Sequence, residues 1–269
     1  MSTIGFVGAG NMAEALIKGI IAANIYARHE VFVSDIRAER AIFVANKYGL
    51  VMARTNADVA AQAETIVLSV KPQNMAEALQ SIKDAVKREK LVISIAAGIR
   101  TAGISAVLGD VPIVRAMPNT PALIGEGACA LFANDKAKPM LQRAKSIFSA
   151  VGKAVVIDDE DLIDAVTAVS GSGPAYYFLL MEEMIKAGIE LGLSSDIVKD
   201  LVLQTAKGAA LLAVESDKEG QTPGVLRQKV TSPGGTTEAA LKVFADGGFG
   251  QLVSAAIKKA RGRSQQLSK

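Results

Sequence analysis

The sequence predicts an α/β fold, a doubly wound sheet followed by an all-α domain. Three observations carry that expectation. Short Val- and Ile-rich apolar runs alternate with helix-period segments as far as Ile157. A glycine-rich turn joins the first run to the first helix. Past residue 160 no strand signal returns, so the boundary is expected between 1–160 and 161–269.

Strands are expected at Ile4–Val7, Val31–Ser34, Thr65–Val70, Leu91–Ile95, Ile113–Arg115, Ala128–Phe132 and Ala154–Ile157. Continuously apolar strands of this length suit a parallel sheet covered on both faces. Helices are expected between them at Asn11–Ala22, Ala38–Tyr48, Asn74–Val86, Ala102–Leu108 and Lys138–Val151. In the first, Glu14 and Lys18 share the polar face while Leu16, Ile17, Ile20 and Ile21 face inward. The acidic stretch Asp158–Asp161 is expected to cap the next helix and complement its dipole. Beyond Leu162 everything reads as helix or turn. The strongest run is Tyr177–Leu191, with Glu182, Lys186 and Glu190 spaced along its polar face.

Composition removes several chemistries. Among 269 residues there is one Cys, Cys129, one His, His29, and no Trp. An internal disulfide and a Cys/His zinc cluster are therefore impossible within one chain. A Ser-His-Asp or Cys-His mechanism would have to use His29, which lies in a polar stretch between two elements. No metal site is expected. The net charge is +3, and aromatic residues make up 4%. Neither supports a nucleic-acid surface. The cations Lys258, Lys259, Arg261 and Arg263 read as a helix end facing its own dipole. No apolar run is long enough for a membrane helix. The N-terminus enters a strand without a basic leader, so no signal peptide is expected and the cytoplasm is the expected compartment.

Residues 4–13 read strand, then G-x-G-x-x-A, then helix. Gly8 permits the tight turn, Gly10 lets the backbone approach a pyrophosphate, and Ala13 lets the helix pack close to the sheet. The helix start at Asn11 and Met12 then presents N–H groups to phosphate. This is the fingerprint of a Rossmann-type dinucleotide-binding domain. The second strand ends Ser34-Asp35, and Asp35 could bond the adenosine ribose of NAD. Arg37 could instead receive the 2′-phosphate of NADP, and Ser34 could serve either. Asp35 as a simple turn residue or cap competes with both. The cofactor is therefore NADP(H) or NAD(H), with the preference open.

Ligands in such sheets sit beyond the carboxyl ends of the strands. Ser69-Val70-Lys71-Pro72 places a lysine where Pro72 stops a strand. Ala96-Ala97-Gly98 leaves a small-residue loop with room for a flat ring. Met117-Pro118-Asn119-Thr120-Pro121 is held extended and offers Asn119 as a neutral hydrogen-bonding group. In the helical half, Ser170–Ala175, with Ser172 at its centre, interrupts a helical stretch. Thr231-Ser232-Pro233-Gly234-Gly235-Thr236-Thr237 precedes a helix over about Glu238–Ala245. Successive N–H groups from Gly234 to Thr237 would form an anion site that suits a carboxylate without a cationic side chain.

Taken together, these segments resemble the pyrroline-5-carboxylate reductase family. The resemblance runs nearly end to end. It rests on the glycine loop, Val-Lys-Pro (70–72), Met-Pro-Asn-Thr-Pro (117–121), Ser-Gly-Ser-Gly-Pro-Ala-Tyr (170–176) and Val-Thr-Ser-Pro-Gly-Gly-Thr-Thr (230–237). It implies a small-molecule reaction, NAD(P)H-dependent reduction of the cyclic imine 1-pyrroline-5-carboxylate to L-proline, the last step of proline biosynthesis. It implies a helical domain that dimerises, with dimers joining into rings. It places Thr237 near the ring nitrogen, in a loop that a partner subunit could supply. Asn56 would lie near the adenosine, with Ser69–Pro72 and Ala96–Gly98 along the cofactor. The chemistry is compatible, because a cyclic imine needs orientation more than a strong base. Thr237 and Ser172 are the candidates for that orientation. Ser232, Gly234, Gly235, Thr236 and Asn119 are candidates for holding substrate.

Two other functions compete. A β-hydroxyacid dehydrogenase shares the two-part layout, but its G-x-x-G-x-x-x-K-x-x-x-N helix is not matched. After Gly173 come Pro174, Ala175, Tyr176 and Tyr177, with no lysine before Lys186. A non-catalytic dinucleotide sensor would have no use for the carboxylate loop.

Overall fold

The computed structural model describes residues 2–267. Eight strands form one sheet: β1 (Ile4–Val7), β2 (Val31–Ser34), β3 (Val51–Met52), β4 (Thr65–Leu68), β5 (Leu91–Ser94), β6 (Ile113–Met117), β7 (Gly127–Ala133) and β8 (Gly152–Val156). Their order is β3-β2-β1-β4-β5-β6-β7-β8. All neighbours are parallel except β6 and β7. The helices among them are α1 (Asn11–Ala22), α2 (Ala38–Tyr48), α3 (Asn56–Gln62), α4 (Met75–Ile82), α5 (Thr101–Leu108) and α6 (Leu141–Ser149). After β8 the chain is helical: α7 (Leu162–Val166), a π-helical turn at Thr167–Gly171, α8 (Gly173–Glu190), α9 (Ser195–Asp217), α10 (Pro223–Lys229), α11 (Thr236–Asp246) and α12 (Phe249–Leu267).

The four-residue strands β1, β2, β4 and β5 are buried at every position, as a sheet covered on both faces demands. Ile4, Phe6, Leu16, Ile17, Ile20 and Phe148 fill one side. Ile66, Leu68, Leu79, Ile82 and Ile104 fill the other.

Packing divides the chain into two units, 1–174 with 259–269, and 175–258. The change at residue 160 therefore marks where strands stop, while residues 161–174 and the end of α12 pack with the sheet. Ser264 Oγ donates to Asp164 Oδ1 at 2.6 Å in that unit.

Some local expectations need correction. β3 and α3 carry no long apolar run and were not expected. α3 does announce itself by a capping box: Thr55 Oγ1 accepts from Asp58 N at 3.1 Å, and Asp58 Oδ2 accepts from Thr55 N at 3.0 Å. The helix expected from Lys138 begins at Leu141, because Pro139 sits in a 3-10 turn before it. The acidic stretch supplies Asp161 at the N-cap position of α7, but its side chain makes no cap bond there. Instead Glu160 accepts from Thr101 N and Thr101 Oγ1, both at 2.8 Å, and from buried Arg115 Nη1 at 3.2 Å. Asp161 pairs with Arg100. These contacts tie the start of α5 and strand β6 to the segment that leads into α7. The cations at 258–263 lie inside α12, whose last turn carries none.

Glu14 gathers α1 and α2. Its carboxylate pairs with Arg40, with Lys47 at 2.8 Å, and accepts from Tyr48 Oη at 3.1 Å. Burial alone would raise its pKa, but the bonds from Lys47, Arg40 and Tyr48 hold it below the ordinary 4.5. The stabilisation is therefore present above that value and lost as pH falls through the folded-state value. Glu14→Gln should cost about 1–2 kcal/mol in urea unfolding at neutral pH. The deficit should shrink as the pH drops below the carboxylate range, and a pH-independent deficit would refute this account.

Gly152 (φ +146°) faces Gly127 across the β7–β8 pair, and a Cβ there would lie 2.0 Å from the Gly127 carbonyl oxygen. Gly152→Ala should lower stability by about 2–4 kcal/mol, read as a drop in the urea midpoint. An unchanged midpoint would show that the strand edge yields freely.

Candidate functional site

Val7 pairs with Ser34 on one side and Leu68 on the other, and Leu68 with Ser94. The carboxyl ends of β2, β1, β4 and β5 therefore finish level. Strand order reverses between β1 and β4, the place where open α/β sheets bind ligands.

The glycine loop lies at that point. Gly8 has φ +97°, and a Cβ on it would lie 2.7 Å from the Ser69 carbonyl oxygen. Its N–H donates to Ser34 O at 2.9 Å, which fastens the loop to the end of β2. Gly10 is the N-cap of α1 and makes no side-chain cap bond. A Cβ added to Gly10 would meet nothing within 4 Å. Asn11 is exposed and Met12 half-buried, while Ala13 is buried. Gly10 thus puts no side chain over the start of α1, whose first N–H groups have no acceptor within the helix, which fits a dinucleotide diphosphate.

Both backbone polar groups of Ala9 are held, which fixes the peptide on either side of it. Asp35 Oδ2 accepts from Ala9 N at 2.8 Å, and Arg40 Nε donates to Ala9 O at 2.7 Å. The second Asp35 oxygen accepts from Arg37 N at 2.9 Å. Buried Ser34 donates from Oγ to Asn56 Oδ1 at 2.7 Å, and Asn56 Nδ2 donates to Ser81 Oγ at 3.0 Å. The structure thus brings Gly8, Gly10, Ser34, Asp35 and Asn56 together.

Ser69 N donates to Val7 O at 2.9 Å, which sets Ser69 and Val70 beside the glycine loop. Lys71 and Pro72 follow, exposed, with Lys71 capping a 3-10 turn. The small-residue loop is more closed than expected. Ala96 belongs to the core. Gly98 (φ +75°) lies under α12, and a Cβ on it would sit 2.6 Å from the Leu267 carbonyl oxygen. Ala97 alone of the three is neither core nor covered, so room for a flat ring is confined to its neighbourhood.

Asn119 needs a clearer correction. Its Nδ2 donates to Ser170 O at 3.0 Å, and its Oδ1 accepts from Ala128 N at 2.8 Å. Both ends of the amide serve the protein, so Asn119 positions the Ser170 turn rather than offering itself to substrate. That turn is the π-helical segment before α8, and Ser172 N closes it on Thr167 O at 2.8 Å. A helix widened in this way commonly marks a functional position.

In the second unit, Gly234 (φ +72°) starts the turn into α11. Two of the four expected donors are already engaged. Gly234 N donates to Glu238 Oε2 at 2.7 Å, and Gly235 N to Ser232 O at 3.0 Å. Ser232 is therefore part of the loop's frame. Thr236 and Thr237 open α11, which has no side-chain cap, so their N–H groups have no acceptor within the helix. The anion site contracts to these two residues, with the Glu238 carboxylate already seated beside it.

His29 is exposed in the 3-10 turn that leads into the amino end of β2, away from the carboxyl ends of the strands. Cys129 is buried, and burial pushes its thiol well above the ordinary range, so it carries no thiolate chemistry. Among the described residues no cluster of three His, Cys, Asp or Glu could hold a metal ion. No described helix is long and apolar enough to cross a membrane.

Sequence reasoning missed Arg40, Ser81 and Glu238. Arg40 was hidden because its partners, Ala9 and Glu14, are distant in sequence. Glu238 was within reach, since an acidic residue in the first turn of α11 stands four positions from Gly234.

Residues 160–267 match the family model described as pyrroline-5-carboxylate reductase dimerisation, and residues 3–98 match one described as NADP oxidoreductase coenzyme F420-dependent. The pyrroline-5-carboxylate reductase of Pseudomonas aeruginosa is 48% identical over 100% of this chain and 98% of its own. That of Haemophilus influenzae is 41% identical over 98% and 97%. Among solved structures, a pyrroline-5-carboxylate reductase from Coxiella burnetii superimposes with TM-score 0.92 at 40% identity, covering 100% of this chain and 99% of that one. The Plasmodium falciparum pyrroline carboxylate reductase, solved with NADP bound, gives TM-score 0.85 at 32% identity, covering 100% and 98%. Relatives this similar along the whole length settle the matter: the chain belongs to the pyrroline-5-carboxylate reductase family.

Proposed function

We propose that this protein reduces 1-pyrroline-5-carboxylate to L-proline with NAD(P)H, the last step of proline biosynthesis. The observation that carries the reading is the bare N-terminus of α1 at the sheet's switch point, in a chain of this family. When bound, NAD(P)H supplies the hydride for the imine carbon. The chain's own task is then orientation. Gly8, Gly10, Asn11 and Met12 take the diphosphate. Ser34, Asp35, Arg37 and Asn56 shape the adenosine end, and Ser69–Pro72 with Ala97 line the rest. Thr236 and Thr237 hold the substrate carboxylate through their N–H groups, in a loop framed by Ser232, Gly234 and Gly235. The Thr237 and Ser172 hydroxyls orient the imine nitrogen, and water delivers its proton.

The helical part, 161–269, serves as the dimerisation and substrate domain. Tyr177, Phe178 and Leu252 are 67%, 61% and 68% exposed in the single chain. Apolar surface of that kind supports association. Dimers joining into rings complete the assembly, and the cytoplasm is the compartment this biosynthetic reaction suits.

Purified protein should oxidise NADPH or NADH only when pyrroline-5-carboxylate is present; absence of turnover with both would sink the assignment. Thr237→Ala should lower kcat about 100-fold and leave cofactor affinity within about twofold. Unchanged kinetics would remove that role. Sedimentation equilibrium should give a multiple of the dimer mass, and a monomer at micromolar concentration would contradict the proposed assembly.

A further inference from the structure

Ser170 stands where the helical ladder lacks a donor. In an α-helix the carbonyl of residue 170 accepts from the N–H of residue 174. Residue 174 is proline, which has no N–H and whose ring crowds the carbonyl four positions before it. The chain answers with the π-helical turn Thr167–Gly171, closed by Ser172 N on Thr167 O at 2.8 Å. Asn119 Nδ2 then donates to the Ser170 carbonyl at 3.0 Å. The bond that Pro174 cannot make is replaced from outside the helix.

Asn119 can do this because it is itself fixed. It is buried, and its Oδ1 accepts from Ala128 N, near the start of β7, at 2.8 Å. Met117, at the end of β6, lies against Gly171, where a Cβ would come 2.8 Å from Met117 Cε. The sheet thus supports the turn at two points. Within the turn, Thr167 Oγ1 donates to Ile163 O at 2.8 Å and Ser170 Oγ to Val166 O at 3.1 Å. Such back-bonds compete with a straight helical ladder. A π turn holds one residue more than an α turn, and each α-helical residue turns the chain by about 100°. Were the turn to close into α form, Ser172 would stand about 100° round the axis from its present place.

We propose that Asn119 is a positioning residue for the reaction. By taking the carbonyl that Pro174 cannot serve, it keeps the turn widened and aims the Ser172 hydroxyl. Asn119 does not touch substrate; it acts on turnover through Ser172. This role rests on the reading in which Ser172 orients the imine, and it names what sets that hydroxyl.

A double-mutant cycle on the full chain tests it, read as kcat for pyrroline-5-carboxylate at saturating NAD(P)H. Asn119→Ala and Ser172→Ala should each lower kcat about tenfold, through misplacement of one hydroxyl or its loss. The double variant should also lose about tenfold rather than about a hundredfold, because both changes disable the same group. Asn119→Ala also strips the acceptor from Ala128 N, so its urea midpoint should fall. Pro174→Ala separates aim from stability. It removes no hydrogen bond and returns an N–H at position 174, which lets the turn close on Ser170 O. It should lower kcat about tenfold without lowering the urea midpoint, a pairing that a purely structural role would not give. Additive losses in the cycle would overturn the proposal, as would an unchanged kcat in any single variant. So would a Pro174→Ala midpoint that falls together with kcat. Any of these, with the unaltered protein turning over, refutes the role of Asn119 and leaves the reaction standing. No turnover by the unaltered protein refutes the reaction and that role with it.

Discussion

The backbone of Ala9 is the point on which the glycine loop depends. Its N–H is held by Asp35 from the end of β2, and its carbonyl by Arg40 from α2. Gly8 before it is wedged against Ser69 from the end of β4. Three neighbouring elements thus converge on one turn. A turn that must leave its following N–H groups bare cannot be stabilised by a capping side chain, because the cap would occupy the phosphate position. Fixing the peptide just upstream resolves that conflict. The loop is rigid where it touches protein and open where it faces ligand, the arrangement that lowers the ordering cost of binding.

The same division explains what was legible in the sequence. Strands β1, β2, β4 and β5 could be read because both faces are buried and every residue is apolar or small. The glycine loop could be read because its glycines each answer a local demand. β3 was missed because two residues at a sheet edge carry no pattern. Arg40 was missed because its partners Ala9 and Glu14 come together only when α2 packs beside α1. Asn119 misled for a related reason. Its type and position advertised a ligand group, but its contacts with Ser170 and Ala128 are long-range, and they decided its use. Gly98 advertised space for a ring, and the space is filled by Leu267, from the far end of the chain.

That return of α12 to the sheet deserves physical weight. Ser264 bonds Asp164, and Leu267 closes over Gly98, which lies between β5 and α5. Glu160, from the segment leading into α7, also reaches α5 through Thr101 and strand β6 through Arg115. The Arg115 pair is costly to break, since a lone buried charge would be left on either side. Both the beginning and the end of the helical part are therefore fastened around the loop that follows β5. A polypeptide whose last helix is anchored this way holds that loop through its own contacts.

The scarcity of histidine and cysteine has a counterpart in how this chain handles anions. At both glycine-rich turns the donors are backbone N–H groups at a helix start, at α1 and at α11. A backbone donor carries no titratable proton, so its strength does not change across the physiological pH range, whereas a histidine there would gain and lose charge. On the proposed function it would also place only a partial charge beside the substrate. Glu238 shows that the α11 turn tolerates a carboxylate, because its own already accepts from Gly234 N. A substrate carboxylate arriving at Thr236 and Thr237 would stand next to that charge, so part of its binding energy must be spent against repulsion. That cost falls on substrate and product alike, because reduction of the ring leaves the carboxylate unchanged.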